Sequence, residues 1–109
     1  MGLATVDLKS PDLTQLNTIS MSLESGTLIG LCLIDPSSSA SSASAYAELG
    51  IMIDGTEATN IGVVLIDGYV SANNLVGWTG RIDMEPGYFV YARFLTVENV
   101  VYRLNALTT

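Results

Sequence analysis

Histidine is absent from this 109-residue chain, and cysteine occurs once. The first absence removes the side chain that most often serves as general base and metal ligand near neutral pH. The second leaves Cys32, inside the run TLIGLCLI, without a disulfide partner and without an imidazole to share a zinc ion or activate its thiolate. Cys32 therefore reads as a small hydrophobe. Cations are scarce too. One lysine (Lys9) and three arginines (Arg81, Arg93, Arg103) stand against eleven acids, for a net charge of −7. That balance excludes nucleic-acid binding through phosphates and attachment to an anionic membrane surface, both of which need clustered Lys and Arg.

Charge of either sign is low. Charged residues are 14% of the chain and hydrophobic ones 49%, where about 25% charged is usual for a soluble domain. Ser, Thr, Asn and Gly must wet much of the surface, or another chain must cover part of it. No run approaches the roughly 20 apolar residues of a membrane-spanning helix. The start, MGLATVDLKS, lacks the basic and apolar regions of a signal peptide and the Ser or Thr that a myristoylation signal needs after Gly2. A soluble chain without a signal peptide is expected.

Catalytic patterns are missing as well. The serines fall in a low-complexity run without a Gly-x-Ser-x-Gly elbow, and the glycines mark turns rather than a phosphate cradle. Asp54 and Glu57 share a loop, but two carboxylates fall short of the six to eight oxygens a Ca²⁺ site wants. Asp83 and Glu85, about 6.6 Å apart along one strand, are within the range of glycosidase carboxylates, yet read as a polar strand face beside Arg81. No enzyme, metal or cofactor is expected.

What the chain does contain is strand. Residues 1–12 read as an N-terminal arm or edge strand and 13–109 as one β-sandwich domain. Within it, 14–23 forms a strand, Ser25-Gly26 a turn, and Thr27–Ile34 a central strand apolar on both faces. DPSSSASSASA makes a flexible Ser/Ala loop at 35–45. Tyr46–Asp54 is a strand with an irregularity at Gly50, followed by a polar turn, GTEATN. Ile61–Ile66 is a short strand closed by an Asp67-Gly68 hairpin turn. Tyr69–Ala72 and Leu75–Trp78 flank an Asn73-Asn74 turn. Gly80–Glu85 alternates with Ile82 and Met84 inward, and Pro86-Gly87 supplies a type II turn. Seven or eight short strands at this spacing predict an all-β antiparallel sandwich or barrel with almost no helix.

The stretch YFVYARFLTV (88–97) is apolar on both faces. A hairpin to the last strand through Glu98-Asn99-Val100 pairs Leu95 with Arg103 and puts Tyr88, Val90, Ala92, Phe94, Tyr102, Leu104 and Ala106 on the core face. The other face then carries Phe89, Tyr91, Leu95, Val97, Val101 and Leu107, diluted by Arg93, Arg103 and Asn105. Aromatics with arginine and without lysine are an interface composition. Phe89, Tyr91, Arg93, Leu95 and Arg103 are the candidate interface residues. Trp78, set between glycines, reads as a plug for one end of the core or, with the tyrosines, as a candidate for ligand stacking, and a carbohydrate- or receptor-binding module is the alternative function.

Residues 78–104, WTGRIDMEPGYFVYARFLTVENVVYRL, resemble the C-terminal part of small tailed-bacteriophage virion proteins, in which a Gly-bearing strand is followed by Pro-Gly, an aromatic and x-Ala, then a closing hairpin. These are capsid decoration (cement) or head-fibre-like proteins. The resemblance implies a non-enzymatic structural protein of the virion surface. It implies a homo-oligomer, a trimer before a dimer, docked on the major capsid protein or another virion protein, with residues 1–12 as an arm onto the shell.

Overall fold

In the computed structural model, which describes residues 2–23, 26–36, 45–53, 61–72 and 74–109, the strands pair first with last. The strands are β1 (Gly2–Leu8), β2 (Asn17–Ser22), β3 (Thr27–Ile34), β4 (Ala45–Met52), β5 (Ile61–Val70), β6 (Val76–Asp83), β7 (Phe89–Leu95) and β8 (Tyr102–Thr108). β1 pairs with β8, β2 with β7, β3 with β6 and β4 with β5, all antiparallel. The chain is thus one long hairpin, turned between β4 and β5 and rolled up. Rolling adds the β3–β8 and β4–β7 pairs. It yields two four-stranded sheets, β1-β8-β3-β6 and β2-β7-β4-β5. This strand order is that of a jelly roll. Among the described residues there is no helix.

Side-chain alternation explains the layers. Leu104 and Ala106 of β8, Leu31 and Leu33 of β3, and Val76 of β6 point inward from the first sheet. Val90, Ala92 and Phe94 of β7 and Ala47, Leu49 and Ile51 of β4 point inward from the second. Together with Leu28, Val70 and Tyr102 they make one buried cluster. The apolar run TLIGLCLI is a central strand, between β8 and β6. Burial of leucine-sized side chains contributes about 1.5–3 kcal/mol each before ordering entropy is set against it.

Turn chemistry holds the corners. Gly26 (φ 86°) and Gly87 (φ 89°) take the left-handed conformation that a side chain resists. The Tyr88 N–H donates to the Glu85 carbonyl oxygen at 3.0 Å, closing the turn over Pro86-Gly87. Ser71 and Asn74 exchange backbone hydrogen bonds between β5 and β6. The expected 35–45 loop, the GTEATN turn and the Asp54/Glu57 pair fall largely or wholly outside the described residues.

Two expectations are corrected. Asp67-Gly68 is not a hairpin turn: β5 runs through it, with Asp67 opposite Glu48 and Gly68 opposite Ala47. The reward is cross-strand contact, since Tyr69 lies against Tyr46, whose hydroxyl donates to Asp67 Oδ2 at 2.7 Å. β7 and β8 do not form a hairpin either. The connection at 96–101 crosses between the sheets, so the Leu95–Arg103 pairing does not exist. The residues assigned to the core face do turn inward, but toward one another from opposite sheets. Phe94 and Tyr102 meet with ring centroids 4.6 Å apart, and the buried Thr96 hydroxyl lies 2.7 Å from that of Tyr102. Two apolar faces bury each other fully only in this arrangement.

Register shifts occur once in β3, between Leu28 and Gly30, and twice opposite β5, an edge of its sheet. Leu49 pairs with Ile66 but Gly50 with Val64, and Ile51 pairs with Val63 but Met52 with Ile61. Leu65 and Gly62 are therefore extra residues, each a β-bulge. A Cβ on Gly50 would stand 2.2 Å from the Val63 carbonyl oxygen and 2.9 Å from the Tyr91 ring. Replacing Gly50 by alanine should accordingly cost ~3 kcal/mol through forced displacement of backbone, read as a lowered urea midpoint, whereas Gly68→Ala, with only ordinary contact to Val76, should cost far less.

Candidate functional site

With the core closed, the surfaces that the described strands offer are the outer faces of the two sheets. On the second sheet the outward rows are Ser22–Phe89–Met52, Ser20–Tyr91–Gly50–Val64, Thr18–Arg93–Glu48–Asp67 and Leu95–Tyr46–Tyr69. Much of this face is satisfied from within. Tyr91 is 0% exposed although it faces outward, because its ring lies over the bare backbone of Gly50. Its hydroxyl donates to Glu48 Oε2 at 2.8 Å, and Arg93 donates to the same oxygen at 2.7 Å. Burial, then the Glu48 carboxylate, pushes the Tyr91 phenol far above its ordinary value. Tyr91 is thus not available to a partner. Tyr46, Tyr69 and Leu95 remain exposed at one end of the face.

Arg103 is on the other sheet. Of the five residues expected to share an interface, Phe89, Tyr91, Arg93 and Leu95 lie on the outer face of the second sheet, while Arg103 lies on the outer face of the first. The expected grouping depended on the β7–β8 hairpin and dissolves with it. Trp78 also turns inward, in a row with Leu31, Ala106 and Ala4. Its indole packs against the core and runs along the edge strand over Gly80, where a Cβ would come within 2.4 Å. Only part of it borders the surface. The exposed aromatic pair is Tyr46 and Tyr69 instead, with ring centroids 5.0 Å apart.

The first sheet has the more open face. Its outward rows are Leu3–Leu107–Gly30–Thr79, Thr5–Asn105–Cys32–Gly77 and Asp7–Arg103–Ile34. Small residues down the middle and larger apolar ones around them make a hollow of about 780 Å³, bordered by Leu3, Leu107, Ile34 and Leu75. Gly30 and Gly77 give part of the floor no side chain at all. Thr5, Asn105 and Arg103 are already engaged. Thr5 Oγ1 donates to Asn105 Oδ1 at 2.8 Å, and Asn105 Nδ2 is 3.8 Å from Cys32 Sγ. Arg103 grips Asp7 with two bonds, Nε to Oδ1 at 2.7 Å and an Nη to Oδ2 at 3.0 Å. The hydrogen bonds from Arg103 hold the Asp7 carboxyl below its ordinary value, while those to Asp7 raise Arg103. In a chain of net charge −7 this hollow is electrically neutral.

Sequence reasoning missed the hollow because its residues come from four strands that are distant along the chain. Its one legible sign was the double-sided apolar run Thr27–Ile34, whose outward members Gly30, Cys32 and Ile34 form its centre. Among the described residues no group of three or more His, Cys, Asp or Glu could hold a metal ion, and no helix is long and apolar enough to cross a membrane.

The Asp7–Arg103 pair has a defined pH signature. A carboxyl whose value is lowered on folding contributes stability above its unfolded value, and that contribution is lost as pH falls through the lowered one. Asp7→Asn should therefore reduce the melting temperature most at neutral pH, and the gap to the parent protein should close on acidification below 3.8. Thermal scans from pH 7 to pH 2.5 check this. No protein-family model, curated protein or solved structure matches this chain.

Proposed function

We propose that this chain is a non-enzymatic structural protein that acts through subunit contacts, as a decoration or accessory protein on a bacteriophage capsid. The observation that carries the assembly part is the neutral apolar hollow on the β1-β8-β3-β6 face. An apolar concavity open to solvent supports a contact-surface reading. Its two charged members neutralise each other, so burying them leaves no unpaired charge. The capsid part is supported by the resemblance of residues 78–104 and by a fold that capsid domains use, which is support by analogy.

A second reading, a carbohydrate-binding module, is favoured by one observation: Tyr46 and Tyr69, exposed side by side with the Asp67 carboxylate next to them. Aromatic faces beside hydrogen-bonding carboxylates suit sugar rings.

Particles purified from the phage that encodes the chain should carry it in stoichiometric, lattice-related copy number, measured by quantitative mass spectrometry. Its absence from washed particles would sink the capsid reading. On a glycan array, loss of binding on Tyr69→Ala would establish the second reading, and the absence of any binding would remove it.

A further inference from the structure

The outer face of the β2-β7-β4-β5 sheet is not electrically even. Its charged row, Thr18–Arg93–Glu48–Asp67, holds one cation and two carboxylates. Arg93 pairs with Glu48 at 2.7 Å. Asp67 keeps its charge, because the Tyr46 hydroxyl that donates to its Oδ2 is neutral. Among the described residues no arginine or lysine pairs with Asp67. Arg103 is on the other sheet with Asp7, and Arg81 is on β6 of that same sheet.

The next row sets two aromatic rings beside this carboxylate. Tyr46 and Tyr69 are opposite each other on β4 and β5, and Leu95 of β7 is opposite Tyr46 on its other side. All three side chains are about half exposed. The ring centroids are 5.0 Å apart and the rings are inclined at 69°. Two faces so inclined make a corner, not a platform. The hydrogen bond to Asp67 raises the Tyr46 phenol above its ordinary value, so it stays a neutral donor to that carboxylate.

The chemistry of this corner narrows what it can hold. A carboxylate without a counter-ion attracts a positive charge. The ring faces attract a cation too, through their quadrupole, when it comes within about 6 Å of a centroid. Leu95 adds an apolar wall. A primary ammonium or a guanidinium brings three to five N–H donors, and this row offers them few acceptors. A methylated ammonium carries the same charge inside an apolar skin and is compact enough to touch both rings. A pyranose is the opposite case: it lies flat on a single ring and needs partners for several hydroxyls, and the inclined second ring obstructs that pose.

We propose that Tyr46, Tyr69, Leu95 and Asp67 bind a methylated ammonium group, of the kind carried by choline or by a trimethylated lysine side chain. The rings and Leu95 contact the methyl groups, and Asp67 supplies the counter-charge. This goes beyond the assembly reading and does not depend on it, whereas the sugar reading uses the same two rings.

The test is a proton NMR titration of the intact protein with choline chloride, and with dimethylbutanol as its neutral carbon analogue. Ring currents should move the choline methyl signal upfield, with half-saturation at roughly 10 mM, as expected of a half-exposed cation–π site. Dimethylbutanol should bind at least fivefold more weakly. Asp67→Asn should weaken choline at least threefold and Tyr69→Ala at least tenfold, while Tyr69→Phe, which keeps the ring face, should stay within twofold. These positions are exposed, so thermal scans should show each variant folded. Trimethyl-lysine amide, titrated in the same way, separates the two sources, since the tighter binder names the tail. Equal binding of dimethylbutanol, or choline binding unchanged by Tyr69→Ala, would overturn the cation site. So would a choline signal that never shifts, and glycan-array binding lost on Tyr69→Ala would then give the rings to a sugar. The capsid reading stands or falls separately, on the composition of the particles.

Discussion

Everything in this molecule depends on β8 and β7 finding β3 and β4. The first-with-last pairs alone would make a long two-stranded ribbon with no interior, and such a ribbon is marginal in water. The β3–β8 and β4–β7 ladders join its two arms into sheets and bring the apolar sides of those sheets face to face. The four strands concerned are the central ones of the two sheets, and they supply most of the buried cluster, from Leu28, Leu31 and Leu33 through Leu49 and Ile51 to Val90, Phe94 and Leu104.

The inward set of β7 and β8 was readable even though the pairing assumed for them was not. Val90, Ala92, Phe94, Tyr102, Leu104 and Ala106 face inward as their spacing requires. Neighbourhood was not readable. Parity depends on the two or three residues on either side, whereas the choice between a hairpin and a crossing connection at 96–101 depends on where the other inward faces are. For that reason Arg103 was grouped with Arg93, which lies on the other sheet. The extension of β5 through Asp67-Gly68 was hidden for a similar reason: a dipeptide that favours a turn was outweighed by cross-strand partners some twenty residues away, Tyr46, Ala47 and Glu48.

The two outer faces solve the shortage of charge differently. One consumes its polar and aromatic groups internally, with Tyr91 and Arg93 both satisfied by a single Glu48 oxygen and a glycine giving the tyrosine ring its seat. The other neutralises its only bidentate pair and leaves apolar rows unfilled. A chain this poor in lysine has few ways to keep a sheet surface wet, and the faces differ in where their glycines fall: Gly50 lies beneath the Tyr91 ring, whereas Gly30 and Gly77 have Leu107 and Leu75 beside them.

The bulges of β5 have a consequence for how the protein behaves when it is not folded. IGVVLI is a six-residue segment without charge or proline and rich in β-branched side chains, the composition of a cross-β spine. In the native molecule the extra residues at Gly62 and Leu65 break the even spacing of donors and acceptors along that edge, so an incoming strand finds no regular ladder to extend. An extended chain has no such protection. Because β1 cannot pair until β8 exists, folding waits on contacts from opposite ends of the sequence. During that wait the same six residues carry the composition of a cross-β spine without the bulges that guard them at the native edge.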